Sequence, residues 1–211
     1  MCRILYARAD RPFTIPELLT PFAELAQHSS EYQGHGWGCA WRDDAGWHQY
    51  HAIRPIWEDD LSQFGSTRLL LVHARSAFRD EGIVVDNNMP FSDGESMFIF
   101  NGELRGVRIK SEGRIGAEKI YNYIRRFDQG DKCAATGKAV DIIKKRSTYV
   151  RAMNIILSDG EQSILATSYS ENPDYFQMYQ KHDGELHLVC SQPFAGDPGW
   201  DRIENNTTIA L

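Results

Sequence analysis

The sequence lacks a long hydrophobic run, an excess of positive charge and a dense set of cysteines. No stretch of the 211 residues approaches the roughly 20 apolar residues that span a bilayer, and no secretory signal pattern follows Met1. The 23 Lys and Arg against 29 Asp and Glu give a formal charge of −6, which argues against binding to phosphate-rich surfaces. We therefore expect neither nucleic acid nor a membrane as a partner.

The cysteines and histidines do not form a disulfide framework or a metal site. The four cysteines are scattered and form no CxxC pair: Cys2, Cys39, Cys133 and Cys190. A secreted disulfide framework is denser in a much shorter chain, so a cytoplasmic protein with reduced thiols is the better interpretation. The seven histidines include no HExxH motif and no zinc-ligand spacing with cysteine. We expect no metal and no cofactor, and we expect the last three cysteines to be buried structural thiols.

The order of predicted elements favours an α+β fold. Strands are predicted at 2–6, 68–73, 96–100, 152–157, 163–169 and 186–190, a β-hairpin within 36–53, and helices over 117–127 and 135–146. Because strands and helices are segregated along the chain, antiparallel sheets are favoured over a doubly wound βαβ fold. No Pro-, Gly- or Ser-rich linker divides the chain, so we expect residues 1–211 to form a single domain.

Cys2 has distinctive chemistry because of its place behind the initiator position. Removal of Met1 would leave a thiol and a free α-amine on one residue, with reference pKa values of about 8.5 and about 7.7–8.0. The amine is then able to take the thiol proton near neutral pH, so that no separate histidine is needed. The alternative is an ordinary cysteine that happens to follow Met1.

Two further segments offer what an amide-cleaving thiol needs. Asn101 and Gly102 follow an apolar strand, and an Asn amide with nearby backbone N–H groups can stabilise a tetrahedral oxyanion. An ordinary Asn-Gly hairpin turn is the alternative. Arg75 and Ser76 follow the strand at 68–73, and an Arg there can bind a carboxylate through two hydrogen bonds. An Arg paired with an acidic neighbour for structural reasons is the alternative.

Five short motifs occur in the order of a known family. They are Met1-Cys2-Arg3-Ile4-Leu5, Gly36-Trp37-Gly38-Cys39-Ala40-Trp41, His73-Ala74-Arg75-Ser76-Ala77, Phe100-Asn101-Gly102-Glu103-Leu104, and Cys190-Ser191-Gln192-Pro193-Phe194 with Asp197-Pro198-Gly199-Trp200. With these motifs the sequence resembles the class II glutamine amidotransferases, which have an N-terminal cysteine and the fold of the N-terminal-nucleophile hydrolases. It is most similar to their stand-alone, single-domain form.

The resemblance implies a four-layer αββα sandwich of two antiparallel sheets flanked by helices. It implies that Cys2 is the nucleophile, with its own α-amine as base, and that a γ-glutamyl thioester forms on it. Asn101 and Gly102 would form the oxyanion hole. Arg75, with Ser76 beside it, would bind the α-carboxylate of a small-molecule amide, either glutamine or a γ-glutamyl compound.

Three positions depart from the family pattern. Gly116 stands where the family usually has an Asp that binds the α-ammonium of glutamine, Phe78 replaces a Thr or Ser, and His35 replaces an Asp. Either another acid takes the place of the missing Asp or the substrate has no such ammonium. The acids considered for this role are Glu103, Asp93 and Glu118.

Three interpretations of function follow. The first is a glutaminase or amidotransferase subunit that passes ammonia to a separate synthetase. The second is a stand-alone hydrolase of a γ-glutamyl or other small amide. The third is a non-catalytic relative that binds a metabolite or a partner.

Overall fold

The computed structural model describes residues 1–211, except for the side chain of Asp80. The strands are β1 (Arg3–Thr14), β2 (Trp37–Asp43), β3 (Gly46–Ala52), β4 (Ser66–Ala74), β5 (Phe91–Ser92), β6 (Met97–Arg105), β7 (Tyr149–Ser158), β8 (Ser163–Thr167), β9 (Tyr179–Asp183), β10 (Leu186–Cys190), β11 (Asp201–Arg202) and β12 (Thr207–Ala210). The helices are α1 (Ile15–Gln27), α2 (Gly116–Arg125), α3 (Lys132–Lys145) and α4 (Pro173–Phe176), with short 3-10 turns at Ile56–Glu58, Leu61–Gln63, Phe78–Asp80 and Val85–Asn87. No helix in the described part of the chain has the length and apolar character needed to cross a membrane.

The chain divides into two compact units. The first comprises Met1–Pro90 and Gln177–Ile203, and the second comprises Phe91–Phe176 and Glu204–Leu211. Each unit contains one antiparallel sheet and at least one helix packed on it.

The first unit is built on a seven-stranded sheet in the order β11-β9-β10-β1-β4-β2-β3. In this sheet the first part of β1, Arg3–Ala7, and nearly all of β4 are buried, in keeping with their apolar runs. Helix α1 covers one face with apolar side chains at helical spacing, among them Leu19 and Phe22. Strand β1 is therefore buried from its first residue, Arg3, which directly follows Cys2.

The second unit is built on a five-stranded sheet in the order β12-β8-β7-β6-β5. The amphipathic helix predicted over 117–127 is confirmed as α2, whose buried face includes Ile120, Tyr121 and Ile124. Helix α3 packs against β8 and β12. An Asp131 side chain caps its amino end by accepting a hydrogen bond from the Ala134 N–H at 2.9 Å.

The predicted fold class is confirmed: two antiparallel sheets with flanking helices in an α+β arrangement. Two predicted strands end well before the observed ones. The strand predicted over 2–6 continues to Thr14 as β1. The strand predicted to end at residue 100 continues to Arg105, because Asn101 and Gly102 pair with Asn154 and Met153 on β7. The hairpin-turn interpretation of Asn101-Gly102 therefore does not hold. The single-domain description of 1–211 stays a prediction.

Candidate active site

Cys2 lies directly before β1 in the first unit, and its thiol faces the backbone of Ser76. The Ser76 N–H donates to the Cys2 Sγ at 3.5 Å, and the thiol lies 3.7 Å from the Ser76 carbonyl oxygen. Register in the sheet explains this proximity, because Arg3 on β1 pairs with Ala74, the last residue of β4. The fold thus brings together two of the predicted site residues, although 74 positions separate them in the sequence.

The surroundings of the Cys2 thiol act on its pKa in opposite directions. Burial raises the pKa, and the nearby carboxylate of Glu31 adds to the rise. The amino-terminal ammonium, the Ser76 N–H and the Arg75 guanidinium oppose it. Since burial is the largest influence, the thiol is protonated at neutral pH while Met1 is in place.

The amino terminus is covered by the loop between α1 and β2, residues 28–36. The Met1 ammonium forms an ion pair with the Glu31 carboxylate in this loop. The Gln33 side chain is fully buried, and its amide donates to the carbonyl oxygens of Met1 and Glu31, each at 2.7 Å. Position 1 is therefore held through both its amine and its carbonyl group.

Arg75 is a buried cation at the end of β4. Its side chain is 6% exposed. The guanidinium donates to the Gly82 carbonyl at 2.9 Å and to the Asn88 side-chain oxygen at 3.5 Å. Among the side chains that the structure describes, none that pairs with Arg75 is a carboxylate. Burial lowers the pKa of Arg75, and among the described groups Cys2 opposes this through its charge when ionised. A buried cation that has no carboxylate partner among the described side chains favours binding of an anion.

The backbone on either side of Arg75 is tied to the 28–36 loop. The Arg75 N–H donates to Gly36 at 2.9 Å, the His35 N–H donates to Arg75 at 3.1 Å, and the Ala77 N–H donates to His35 Nδ1 at 2.9 Å. His35 therefore supplies a side-chain acceptor at the position where the family pattern has Asp. Gly36 has a φ of +106°, and a Cβ there would lie 2.2 Å from the Asn88 amide, so the loop requires glycine.

Asn101 is fully buried on β6 in the second unit. Among the described residues neither its amide nitrogen nor its amide oxygen has a hydrogen-bond partner. Its cross-strand neighbour Asn154 is different, because its amide donates to the Phe176 carbonyl at 2.8 Å and accepts from the Thr167 hydroxyl at 2.7 Å. An unsatisfied buried polar group costs about 1–3 kcal/mol, so Asn101 does not stabilise this sheet through its amide.

Gly102 follows on the same strand. A Cβ at this position would lie 2.2 Å from the Ala152 carbonyl oxygen on β7, so only glycine allows the two backbones to approach this closely. Gly116 begins α2 and has open space around it, whereas Phe78 lies in a 3-10 turn with 57% of its surface exposed.

The three acids considered for the missing Asp all lie in the second unit and are all engaged. Glu103 pairs with Arg105 and Arg151. Asp93 pairs with Arg125, and Glu118 pairs with Arg114. The arginines hold the pKa of Glu103 and Glu118 below the ordinary value, and at Asp93 the backbone N–H groups of Ser96 and Glu95 do so ahead of Arg125, in each case against the effect of burial. None of the three is available without breaking an existing ion pair.

The other thiols differ from Cys2 in their surroundings. Cys39 and Cys190 are buried, as predicted, and burial raises the pKa of Cys190 to about 11 and also raises that of Cys39. The prediction of a buried thiol is wrong for Cys133, which lies in the first turn of α3 and is partly exposed. Among the residues that the structure describes, no group of three or more His, Cys, Asp or Glu could hold a metal ion.

Sequence patterns did not reveal Glu31, Gln33 or Asn88 as parts of the site. Glu31 and Gln33 lie 30 and 32 positions from Met1, and their loop carries no motif of its own. Only the packing of the 28–36 loop over the amino terminus reveals their contacts.

Comparison with known proteins gives a likeness in structure but not in sequence. No protein-family model and no curated protein matches the sequence. The chain superposes on the glutamine aminotransferase class-II domain protein from Silicibacter pomeroyi with a TM-score of 0.69 and 16% identity, over 99% of this chain and 94% of that one. A predicted glutamine amidotransferase from Pseudomonas aeruginosa gives a TM-score of 0.61 and 15% identity, with 99% and 96% covered.

A longer protein also matches. The glutamine phosphoribosylpyrophosphate amidotransferase from B. subtilis gives a TM-score of 0.71 and 14% identity over 99% of this chain, which spans only 47% of that protein. Identities this low establish the fold and nothing finer. The chain therefore has the fold of the class II glutamine amidotransferase domains, in agreement with the resemblance in its motifs.

Proposed function

We propose that the protein is an amide hydrolase of the glutamine amidotransferase type, with Cys2 as its nucleophile. The observation that carries this proposal is the placement of the Cys2 thiol against Ser76, beside a buried Arg75 that no described carboxylate neutralises. A thiol close to a guanidinium that has no carboxylate partner among the described side chains suits an amide substrate that also bears a carboxylate. Ser76 would contribute through its backbone N–H, which already contacts the thiol.

The proposed reaction begins after Met1 has been removed. The free α-amine of Cys2 takes the thiol proton, and the thiolate attacks the carboxamide carbon. The carbon–nitrogen bond breaks and ammonia leaves with the proton, which produces a γ-glutamyl thioester. Water then hydrolyses the thioester, so that glutamate is released and the thiol is restored. The amine compensates for burial, which otherwise keeps the thiol protonated.

We assign the oxyanion hole to Asn101 and Gly102 on the resemblance in motifs. Support comes from within the second unit, where the Asn101 amide is buried and has no described partner. An amide kept in this state at a cost in stability is typical of a group that functions in catalysis. Gly102 has no side chain that could cover its backbone N–H.

The fate of the ammonia gives two versions of this function. In the first, ammonia passes to a separate synthetase, a version that accords with the name glutamine amidotransferase borne by two of the similar structures. In the second, the protein is a stand-alone hydrolase of a γ-glutamyl or related amide. Gly116 favours the second version, because a side chain that would bind the ammonium of free glutamine is absent there.

Release of ammonia from glutamine by the purified protein tests the proposal. We expect the wild type to release ammonia, Cys2→Ala to release none, and Cys2→Ser to release at most a trace. Cys133→Ala is the matched control, because that thiol is also partly exposed, and it should retain full activity. Circular dichroism should show all variants folded. Ammonia release by Cys2→Ala at the wild-type rate would refute the proposal.

A further inference from the structure

Asn88 is a buried polar side chain that connects Arg75 to the end of β3 within the first unit. Only 2% of Asn88 is exposed. Its amide oxygen accepts a hydrogen bond from the Arg75 guanidinium at 3.5 Å, and its amide nitrogen donates to the Ala52 carbonyl at 2.8 Å. Because an Asn amide is both an acceptor and a donor, one side chain makes both contacts. The strand end thus holds the group that contacts the buried guanidinium.

The backbone that carries Asn88 is itself held by β3. The Pro90 carbonyl accepts hydrogen bonds from two side chains of that strand, from Gln49 Nε2 at 3.0 Å and from His51 Nε2 at 3.1 Å. Together with the Asn88 contact to Ala52, three hydrogen bonds join residues 88–90 to one strand. The position of the Asn88 amide is therefore set by the sheet.

Two glycines of the Gly36-Trp37-Gly38 motif make room for this segment. A Cβ at Gly36 would lie 2.2 Å from the Asn88 amide nitrogen, and a Cβ at Gly38 would lie 2.5 Å from the Met89 carbonyl oxygen. Both distances are far below the 3.5–4.0 Å or so of ordinary van der Waals contact, so a side chain at either position would displace residues 88–90. The motif thus serves the placement of Asn88, which the proposed function does not use.

Both described acceptors of the Arg75 guanidinium are neutral oxygens, one on the Gly82 carbonyl and one on Asn88. A neutral oxygen orients a guanidinium through a hydrogen bond but does not compensate its positive charge. A carboxylate at position 88 would form an ion pair with this buried cation, and the carboxylate of a substrate would have to displace it. Asparagine at this position therefore suits a cation that takes its counter-ion from a ligand.

We propose that Asn88 is a positioning residue, which orients the Arg75 guanidinium and leaves its charge for the carboxylate of the substrate. Asn88 acts on the substrate only through Arg75. The inference rests on the proposed function and extends it to a residue that no motif marks.

The test compares glutamine with 4-aminobutanamide, the same amide without the α-carboxylate, in the wild type and in Asn88→Asp. We expect Asn88→Asp to raise KM for glutamine about 10- to 100-fold and to change kcat little, because its carboxylate competes with that of the substrate. The kcat/KM for 4-aminobutanamide should stay unchanged, because this amide has no carboxylate to displace.

A second variant and a control separate this role from a structural one. Asn88→Ala removes the acceptor without adding a charge, so it should raise KM for glutamine less than Asn88→Asp does, and it should leave 4-aminobutanamide unchanged. The control is Asn205→Asp in the second unit, where the amide also donates to a backbone carbonyl, that of Tyr169 at 2.9 Å. It should change neither substrate.

Failure of the inference differs from failure of the proposed function. An unchanged KM for glutamine in the Asn88 variants, or an equal loss for both amides, would refute the role of Asn88 while the function stands. If Asn88→Asp does not fold, Asn88→Ala decides. Hydrolysis of 4-aminobutanamide by the wild type as fast as glutamine would also refute the role, and this measurement needs no variant. If the wild type hydrolyses no amide, both proposals fall.

Discussion

Single residues of the candidate site are distinguished by polar groups that the fold leaves unsatisfied. Arg75 is buried without a described carboxylate, and the Asn101 amide is buried without a described partner. Each arrangement costs free energy of folding, because burial removes water without supplying a full set of hydrogen bonds. Such costs are expected where the missing partner is a ligand.

Substitution of Arg75 should act on substrate binding. We expect Arg75→Ala to raise KM for glutamine about 10- to 100-fold, because one charge-assisted pair is lost, and to change kcat less. Steady-state kinetics of ammonia release measure both constants. The matched control is Arg126→Ala, which removes an exposed arginine after α2 and should leave KM unchanged. Equal effects of the two substitutions would rule out a role for Arg75 in carboxylate binding.

The sequence predicts part of this site but not all of it. Cys2 and Arg75 have side-chain chemistry and motifs that mark them, and the pairing of β1 with β4 then places Cys2 close to the residue after Arg75. Glu31 has no such mark, because an acid in a polar loop is typical of any solvated surface. Its significance comes from a contact across 30 positions, which depends on how the loop packs.

Among the elements, β6 and β7 show how pairing overrides local preference. Asn-Gly is a strong hairpin signal, yet both residues lie inside β6 because β7 offers a complete partner strand. The close approach at Gly102 depends on the absence of a Cβ. The sequence does not predict strand β9, because its residues, YQKHD, are mostly polar and none of them is buried. Continuous apolar strands such as β4 were predicted well, because burial alone specifies them.

The paired asparagines of β6 and β7 allow a matched comparison. We expect Asn101→Leu to leave the free energy of unfolding unchanged or to raise it by about 1 kcal/mol, because it removes two unsatisfied buried atoms. Asn154→Leu should lower it by about 1–3 kcal/mol, because the Phe176 carbonyl and the Thr167 hydroxyl lose their partner. Urea unfolding measures both values.

We expect Asn101→Leu, the less destabilising of the two substitutions, to have the larger effect on catalytic activity. Asn101→Leu should reduce kcat about 100- to 1000-fold if its amide stabilises the oxyanion, although its fold is intact. If Asn101→Leu destabilised the protein as strongly as Asn154→Leu, its amide would have a structural partner, and the oxyanion assignment would lose its support.

At the scale of the whole molecule, this chain shares its fold with proteins to which its sequence identity is low. The similar structures share only 14–16% of their residues with this chain, yet they cover 99% of it. The short motifs around the site nevertheless indicate the fold class. Domain organisation and location in the cell are not fixed by such motifs, and both stay predictions.

Stability of the whole molecule should depend on pH through His187. This residue lies on β10 opposite His182, with the two rings stacked at 4.1 Å, and burial followed by the charge of His182 lowers the pKa of His187 to about 4. The ordinary value in an unfolded chain is about 6.5. Between these values the unfolded chain binds more protons, so the free energy of unfolding falls as the pH drops from about 6.5 to about 4.

Thermal unfolding at several pH values in this window measures the effect. We expect His187→Phe, which keeps an aromatic ring but cannot titrate, to show a smaller decrease in Tm than the wild type. His28→Ala, which removes an exposed histidine after α1, should retain the wild-type slope. Identical slopes for His187→Phe and the wild type would contradict this account.

The central claim is that Cys2, freed of Met1, is the nucleophile, and covalent labelling tests it most directly. The protein is treated with a diazo-ketone analogue of glutamine, which loses nitrogen as it forms a thioether, and the modified peptide is located by mass spectrometry. We predict a peptide that begins with Cys2 and carries the label on that thiol, with protection by excess glutamine. An active protein that retains Met1, or a label on Cys39, Cys133 or Cys190, would contradict the claim.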